Sequence, residues 1–146
     1  MSLFGALAVS GSGMDAQRTR AELLVQNLAN AETTRTPEGG PYRRKDVVFS
    51  SSPVDPSFDD ELGSALGEPS AGVSVSDVVA DMRPPERRYM PGHPDADKDG
   101  YVLFPNINPA EDMADLISAN RGYDGNIAAI VAVKDMISQS IQMLSA

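Results

Sequence analysis

The sequence predicts an α+β protein in which long N- and C-terminal helices form a coiled-coil domain around a small, irregular β-rich middle. Three observations point there. Apolar residues at the front recur in a seven-residue rhythm at Leu3, Leu7, Met14, Ala21, Leu24 and Leu28. The same rhythm returns at the back through Met113, Leu116, Tyr123, Ile127, Ile130, Ile137, Ile141 and Leu144. Such a repeat keeps one seam facing a neighbouring helix instead of drifting around the axis. Between the ends, Val73 and Val75 alternate with Ser74 and Ser76, which is the period of a strand. The helical domain is assigned to residues 1–34 and 107–146, and the β-rich middle to 35–106. A chain of 146 residues with 41% hydrophobic content supports one modest core and no second independent one.

Taken in order, residues 2–31 read as the first helix, with Arg18 and Glu22 spaced for an ion pair. Gly5, Gly11 and Gly13 each cost about 1 kcal/mol against Ala, so the helix is expected to fray at the front and firm up from Met14. It should end near Asn30, before Thr33, Pro37 and the Gly39-Gly40-Pro41 turn. Strands are expected over Tyr42 to Phe49, Gly72 to Ala80, Arg87 to Met90 and Tyr101 to Phe104. Pro91, Pro94 and Pro105 close the short ones because proline cannot donate to a central ladder. Ser50 to Ala71, rich in Ser, Pro and acids, reads as a mobile loop.

The last helix carries the clearest start signal: Asn108 as N-cap, Pro109 in the first position, and Glu111 and Asp112 in the first turn. From Pro109 to Leu144 it would be about 54 Å long. A compact globule of this chain length is only about 40 Å across. The helix should therefore protrude, and its seam should need a partner from outside. Asn120 and Lys134 interrupt that seam, where a polar residue sets register at some cost in stability.

Composition narrows the function classes. A formal charge of −9 repels a nucleic-acid backbone. The basic pieces Arg43-Arg44-Lys45 and Arg87-Arg88 are short and read as solvated strand faces. With no cysteine, thiol catalysis, disulfides and thiolate metal sites are excluded. No run approaches 18 apolar residues and no basic segment precedes the apolar start, so neither membrane insertion nor a cleaved signal peptide is expected.

Asp95, Asp97, Asp99 and Gly100 match the first half of a calcium loop, but the twelfth position, where a bidentate Glu is needed, is Asn106. A polar turn before Tyr101 fits these residues better. His93 is the one histidine and has no second ligand of its own kind. No Gly-x-Ser-x-Gly elbow, phosphate loop or dinucleotide fingerprint occurs, so neither an enzyme nor a cofactor is expected.

Several short motifs converge. Asn27-Leu-Ala-Asn30-Ala31 ends the first helix; Pro41-Tyr-Arg and Val47-Val-Phe49 follow. Next come Pro91-Gly92-His93-Pro94-Asp-Ala-Asp97, Gly100-Tyr101-Val102 and Pro105-Asn106-Ile-Asn108. Ala119-Asn-Arg121-Gly-Tyr123 with Asn126 completes the set. Together they resemble the bacterial flagellar basal-body rod proteins of the proximal-rod C type, FlgC. The resemblance implies a structural rod subunit crossing the periplasm, exported by the flagellar type III apparatus without a cleaved signal. It implies as partners proximal and distal rod subunits, the hook-basal body adaptor, the export apparatus and further copies of itself. In the family the terminal helices line an inner tube, and Asn27, Asn30, Arg121 and Tyr123 fall on its motifs as contact or export-recognition residues. Two other readings stand beside this one: a calcium-dependent binding module built on the Asp95 loop, and a helical hairpin from another type III secretion filament.

Overall fold

A computed structural model of the chain describes residues 3–53 and 71–144. The order is α1 (Leu3–Ala29), β1 (Lys45–Pro53), β2 (Ala71–Ala80), β3 (Glu86–Tyr89), β4 (Tyr101–Phe104) and α2 (Pro109–Leu144). The architecture is α+β, with helices at both ends and two separate two-stranded antiparallel sheets between them. The predicted loop shortens at both ends, because β1 runs on to Pro53 and β2 starts at Ala71. Its remainder, residues 54–70, lies outside the described residues.

The two helices run antiparallel against each other. Gly13 faces Asn126, Gln17 faces Gly122, and Arg20 reaches Asp115 at 3.4 Å. In the structure α1 is helical from Leu3 through all three glycines. Part of the reason lies in the packing. A Cβ at Gly13 would come within 3.0 Å of the Asn126 side chain, and one at Gly122 within 3.2 Å of Gln17. The missing side chains let the backbones approach, which offsets the helix propensity that glycine gives up.

Another face of α1 packs along the β1–β2 hairpin. Near the base its Asn27 bonds to Lys45 of β1, and farther along Ser12 Oγ accepts the Val73 N–H of β2 at 3.1 Å. Ser50, Ser52, Gly72 and Ser74 are buried or half-buried, while Phe49 and Val73 are exposed. In this stretch the small residues are covered, and Val47 and Val75 are half-buried as well. Its ladder shifts register between Val48 and Phe49, a bulge that strengthens the local twist.

The buried apolar residues among those described fall in two groups. Ala16, Leu24, Ala119 and Val133 sit between the helices. Val102, Phe104 and Ile107 form a second nucleus beneath the β3–β4 hairpin, with the His93 ring edge-on to Phe104 at 6.3 Å. At the start of α2, Asn108 Oδ1 accepts the Ala110 N–H at 3.2 Å, the cap its sequence position foretells.

Candidate assembly interface

The residues predicted to form one seam on α2 divide between two faces. Asp112, Leu116, Ala119, Tyr123, Asn126, Ile130, Val133 and Ile137 are all buried or half-buried. They alternate by four and three residues, the spacing of a packed helical seam. One residue on, about 100° around the axis, a second row carries the same spacing. It comprises Met113, Ile117, Asn120, Asp124, Ile127, Val131, Lys134, Ser138 and Ile141, and every member is exposed. Its five apolar side chains are 40% to 61% exposed.

Thus Leu116, Tyr123, Ile130 and Ile137 lie on the inner row, and Met113, Ile127 and Ile141 on the outer one. Leu144, 89% exposed, is at the tip. On α1, Leu24 is buried and Leu7, Met14, Ala21 and Leu28 are half-buried. Asn120 and Lys134, expected to set register, fall on the exposed outer row, and Asn120 also borders the groove between the helices.

The doubling also accounts for an 18-residue window of α2 that is apolar enough, by length and composition, to cross a membrane, with a mean hydropathy of 1.3. A helix apolar on two sides scores so because two sides seek cover. Beside Tyr123, a groove of about 750 Å³ opens between the helices, walled by Ala21, Val25, Leu116 and Asn120, with Arg18 and Glu22 at its rim.

The motif residues occupy distinct places. Asn27 is fully buried, and its side chain is spent internally: Nδ2 donates to Lys45 O at 2.9 Å, while Oδ1 accepts Lys45 N–H at 2.9 Å and Tyr42 O–H at 3.1 Å. This amide stands in for a neighbouring strand at the base of β1. Asn30 closes α1, with Nδ2 donating to Gln26 O and Oδ1 accepting the Thr33 hydroxyl. Arg121 is exposed on α2. Asn126 donates to Gly122 O at 2.9 Å while packing on Gly13.

Pro91, Gly92, His93 and Pro94 make the turn after β3. There the His93 N–H donates to Met90 O, and His93 Nδ1 accepts the Asp95 N–H. Gly100 has φ +79°, where a side chain would be strained, and a Cβ would also meet the Tyr89 ring at 3.0 Å. The Asp95 loop folds on itself. Asp97 Oδ1 accepts the N–H groups of Asp99 and Tyr101, and Asp95 Oδ2 accepts the Thr34 hydroxyl. Backbone donors, led by the Tyr101 N–H, hold the Asp97 carboxyl below its ordinary pKa. Tyr101 stacks edge-on against Tyr89 at 5.3 Å, Pro105 is buried, and Asn106 is exposed.

One basic cluster departs from its expectation. Arg44 is not a solvated strand residue: its side chain is 16% exposed, and its guanidinium grips Asp112, whose side chain is 1% exposed, at 2.8 and 3.1 Å. It also reaches Asp46 at 2.9 Å. Asp112 Oδ2 has no hydrogen-bond partner among the described residues, so its charge rests on Arg44. Arg87 and Arg88 do lie exposed on β3, over the rings of Tyr101 and Phe104. Neither the Arg44–Asp112 pair nor the outer row was read from the sequence. The repeat contained the outer row, since apolar residues fill both adjacent registers.

Comparison with known proteins decides the family. A basal-body rod protein FlgC of Borreliella burgdorferi is 39% identical, covering 99% of each chain. The FlgC of Bacillus subtilis is 38% identical over 98% of this chain and 99% of its own. The Escherichia coli O6:H1 protein is 34% identical over 98% of both. The chain belongs to the FlgC family of flagellar basal-body rod proteins. A family model described as the flagellar basal body rod FlgEFG protein C-terminal also matches residues 98–143, which cover β4 and all but the last residue of α2. FlgC-family proteins are structural rod components and not enzymes. The readings as a calcium-dependent module and as a hairpin of another type III secretion filament gain no support.

Proposed function

We propose that this chain is a structural subunit of the proximal rod, part of the axial shaft that transmits torque and encloses the export channel. In this reading α1 and α2 form the coiled-coil layer nearest the channel, and the β-rich middle faces outward. The partners are proximal and distal rod subunits, the hook-basal body adaptor, the type III export apparatus and other copies of the chain. The protein acts in the periplasm and leaves the cytoplasm without a cleaved signal. The observation that carries the reading is the outer row of α2, an ordered apolar surface with helical spacing that the chain leaves uncovered. A member of a rod family with such a surface is built to be finished by neighbours.

The experiment is incorporation. Ile127→Asp with Val131→Asp alters two exposed side chains, so the purified variant should keep its helical content and melting temperature. In cells lacking the natural protein it should be missing from purified basal bodies by mass spectrometry, and the cells should not swim. Normal rods built from this variant would sink the reading. Ile130→Asp is a poorer test, because Ile130 sits on the inner row and its loss disturbs the helix pair itself.

A further inference from the structure

The two hairpins are held by different things. β1–β2 packs on one other described element, α1. Gly72 is the one buried residue described in its strands, while Val47, Phe49, Val73, Val75 and Val78 stay half-buried or exposed. The strands are joined through residues 54–70, where a tight hairpin uses about two to five. A two-stranded hairpin with no helix or third strand behind it is marginal in water. Two anchors come from α1: the Asn27 amide takes the N–H and C=O of Lys45, and Ser12 Oγ accepts the Val73 N–H. Ser12 and Asn27 lie about 22 Å apart along a helix but about 50 Å apart on an extended chain. Their rungs on the hairpin, Lys45 and the Ser51–Val73 pair, lie about 20 Å apart. The helical form of α1 fits both anchors at once, and an extended one does not.

β3–β4 is built the other way. No other described element packs on it. It carries large side chains inside, since Val102 and Phe104 are buried together with Pro105 and Ile107, and the His93 ring stands edge-on to Phe104. Its connection is pinned locally: Asp97 accepts the N–H groups of Asp99 and Tyr101, and Asp95 accepts the Thr34 hydroxyl. We propose that β1–β2 orders only together with α1, as one cooperative unit, and that the β3–β4 nucleus holds on its own.

In the rod reading, on which this step rests, a neighbour that seats α1 also closes β1 onto β2. Val47 and Phe49 share one face of β1, their ladder partners Val78 and Val75 stand beside them, and Val73 is next along β2. That apolar face exists as a surface only on a subunit whose α1 is in place. A chain whose α1 is open does not present it, so the hairpin is a built-in mark of a seated subunit.

Hydrogen exchange on the purified full chain tests both halves. The strands can open without α1 but cannot close without it, so β1 and β2 should never exchange more slowly than α1 between Ser12 and Asn27, at whatever level α1 is protected. β3 and β4 should show protection of their own. Ala16→Pro breaks α1 between its two anchors. It should bring β1 and β2 to the exchange rate of an unstructured chain and leave β3 and β4 within about twofold of their natural rates. Strands β1 and β2 that keep at least about tenfold protection in this variant overturn the coupling, as does a natural chain in which they are protected beside an unprotected α1. Loss of β3–β4 protection in step with α1, or its absence from the natural chain, overturns the independence of that nucleus. Rod incorporation is read separately, by mass spectrometry of basal bodies. Coupled exchange in a chain that never enters basal bodies removes the rod reading alone, and rods built from a chain whose strands stay protected without α1 remove the coupling alone.

Discussion

Replacing Asn27 by Ala should be among the most damaging small changes in the chain. The side chain is fully buried and makes three hydrogen bonds, two of them to the N–H and C=O of Lys45 and one to the Tyr42 hydroxyl. Each bond is worth about 0.5–1.5 kcal/mol net, and groups left unpaired inside cost more. Truncation should therefore lose about 2–4 kcal/mol, a large share of the roughly 5–15 kcal/mol available to a domain of this kind. In urea unfolding followed by circular dichroism, the midpoint should fall by about 1–2 M with little change in slope. Asn27→Asp should be similarly poor, because it aims a second oxygen at the Lys45 carbonyl where a donor is needed. Amide exchange should quicken at Lys45 in both variants. A loss below about 1 kcal/mol with Lys45 still protected would refute the view that this amide fastens the hairpin to α1.

Other outcomes follow from the same geometry. Gly13→Ala should cost about 1–3 kcal/mol in thermal unfolding, because its Cβ meets Asn126 at 3.0 Å. Gly125→Ala, with nothing within 4 Å, should add up to about 1 kcal/mol through helix propensity. Equal effects at the two positions would count against close backbone approach. Arg44→Ala strands the Asp112 carboxylate in the interior and should cost about 3–5 kcal/mol by chemical denaturation. Burial, with the nearby charge of Asp112, pushes the Tyr42 phenol above its usual 10.0. Below that value the phenol is neutral in both states and stability is unaffected. As pH rises from there towards the folded-state value, the unfolded chain ionises first and stability declines. Tyr42→Phe should remove that alkaline decline when unfolding is followed between about pH 9 and 11.

Much of this arrangement was legible from the residues. The start of α2 was readable because Asn108 caps an open N–H, Pro109 spares one, and Glu111 and Asp112 put negative charge in the first turn. β4 was readable because its four residues are fenced by Gly100 and Pro105. The seam of α2 was read as one line although it is two. A repeat of apolar residues shows that helical faces will be covered, but it does not say which face is covered from inside the chain. Buried polar residues were less accessible. Asn27 looks like an ordinary helix-end residue until Lys45 is placed beside it. Arg44 sits among charged neighbours and gives no local sign of its partner, which lies 68 residues on.

The antiparallel contact of α1 and α2 joins the first element of the chain to the last. Residues that touch there, such as Gly13 and Asn126, are separated by on the order of a hundred intervening residues, and closing so long a loop carries an entropic cost that local contacts do not repay. The order of arrival therefore matters. A chain emerging N-terminus first presents α1 and the hairpins long before α2 exists to cover them, and Asn27 can seat Lys45 while the groove beside Ala21 still stands empty. The helix pair cannot form until α2 has emerged, so its formation reports that the chain has arrived as far as Asn126.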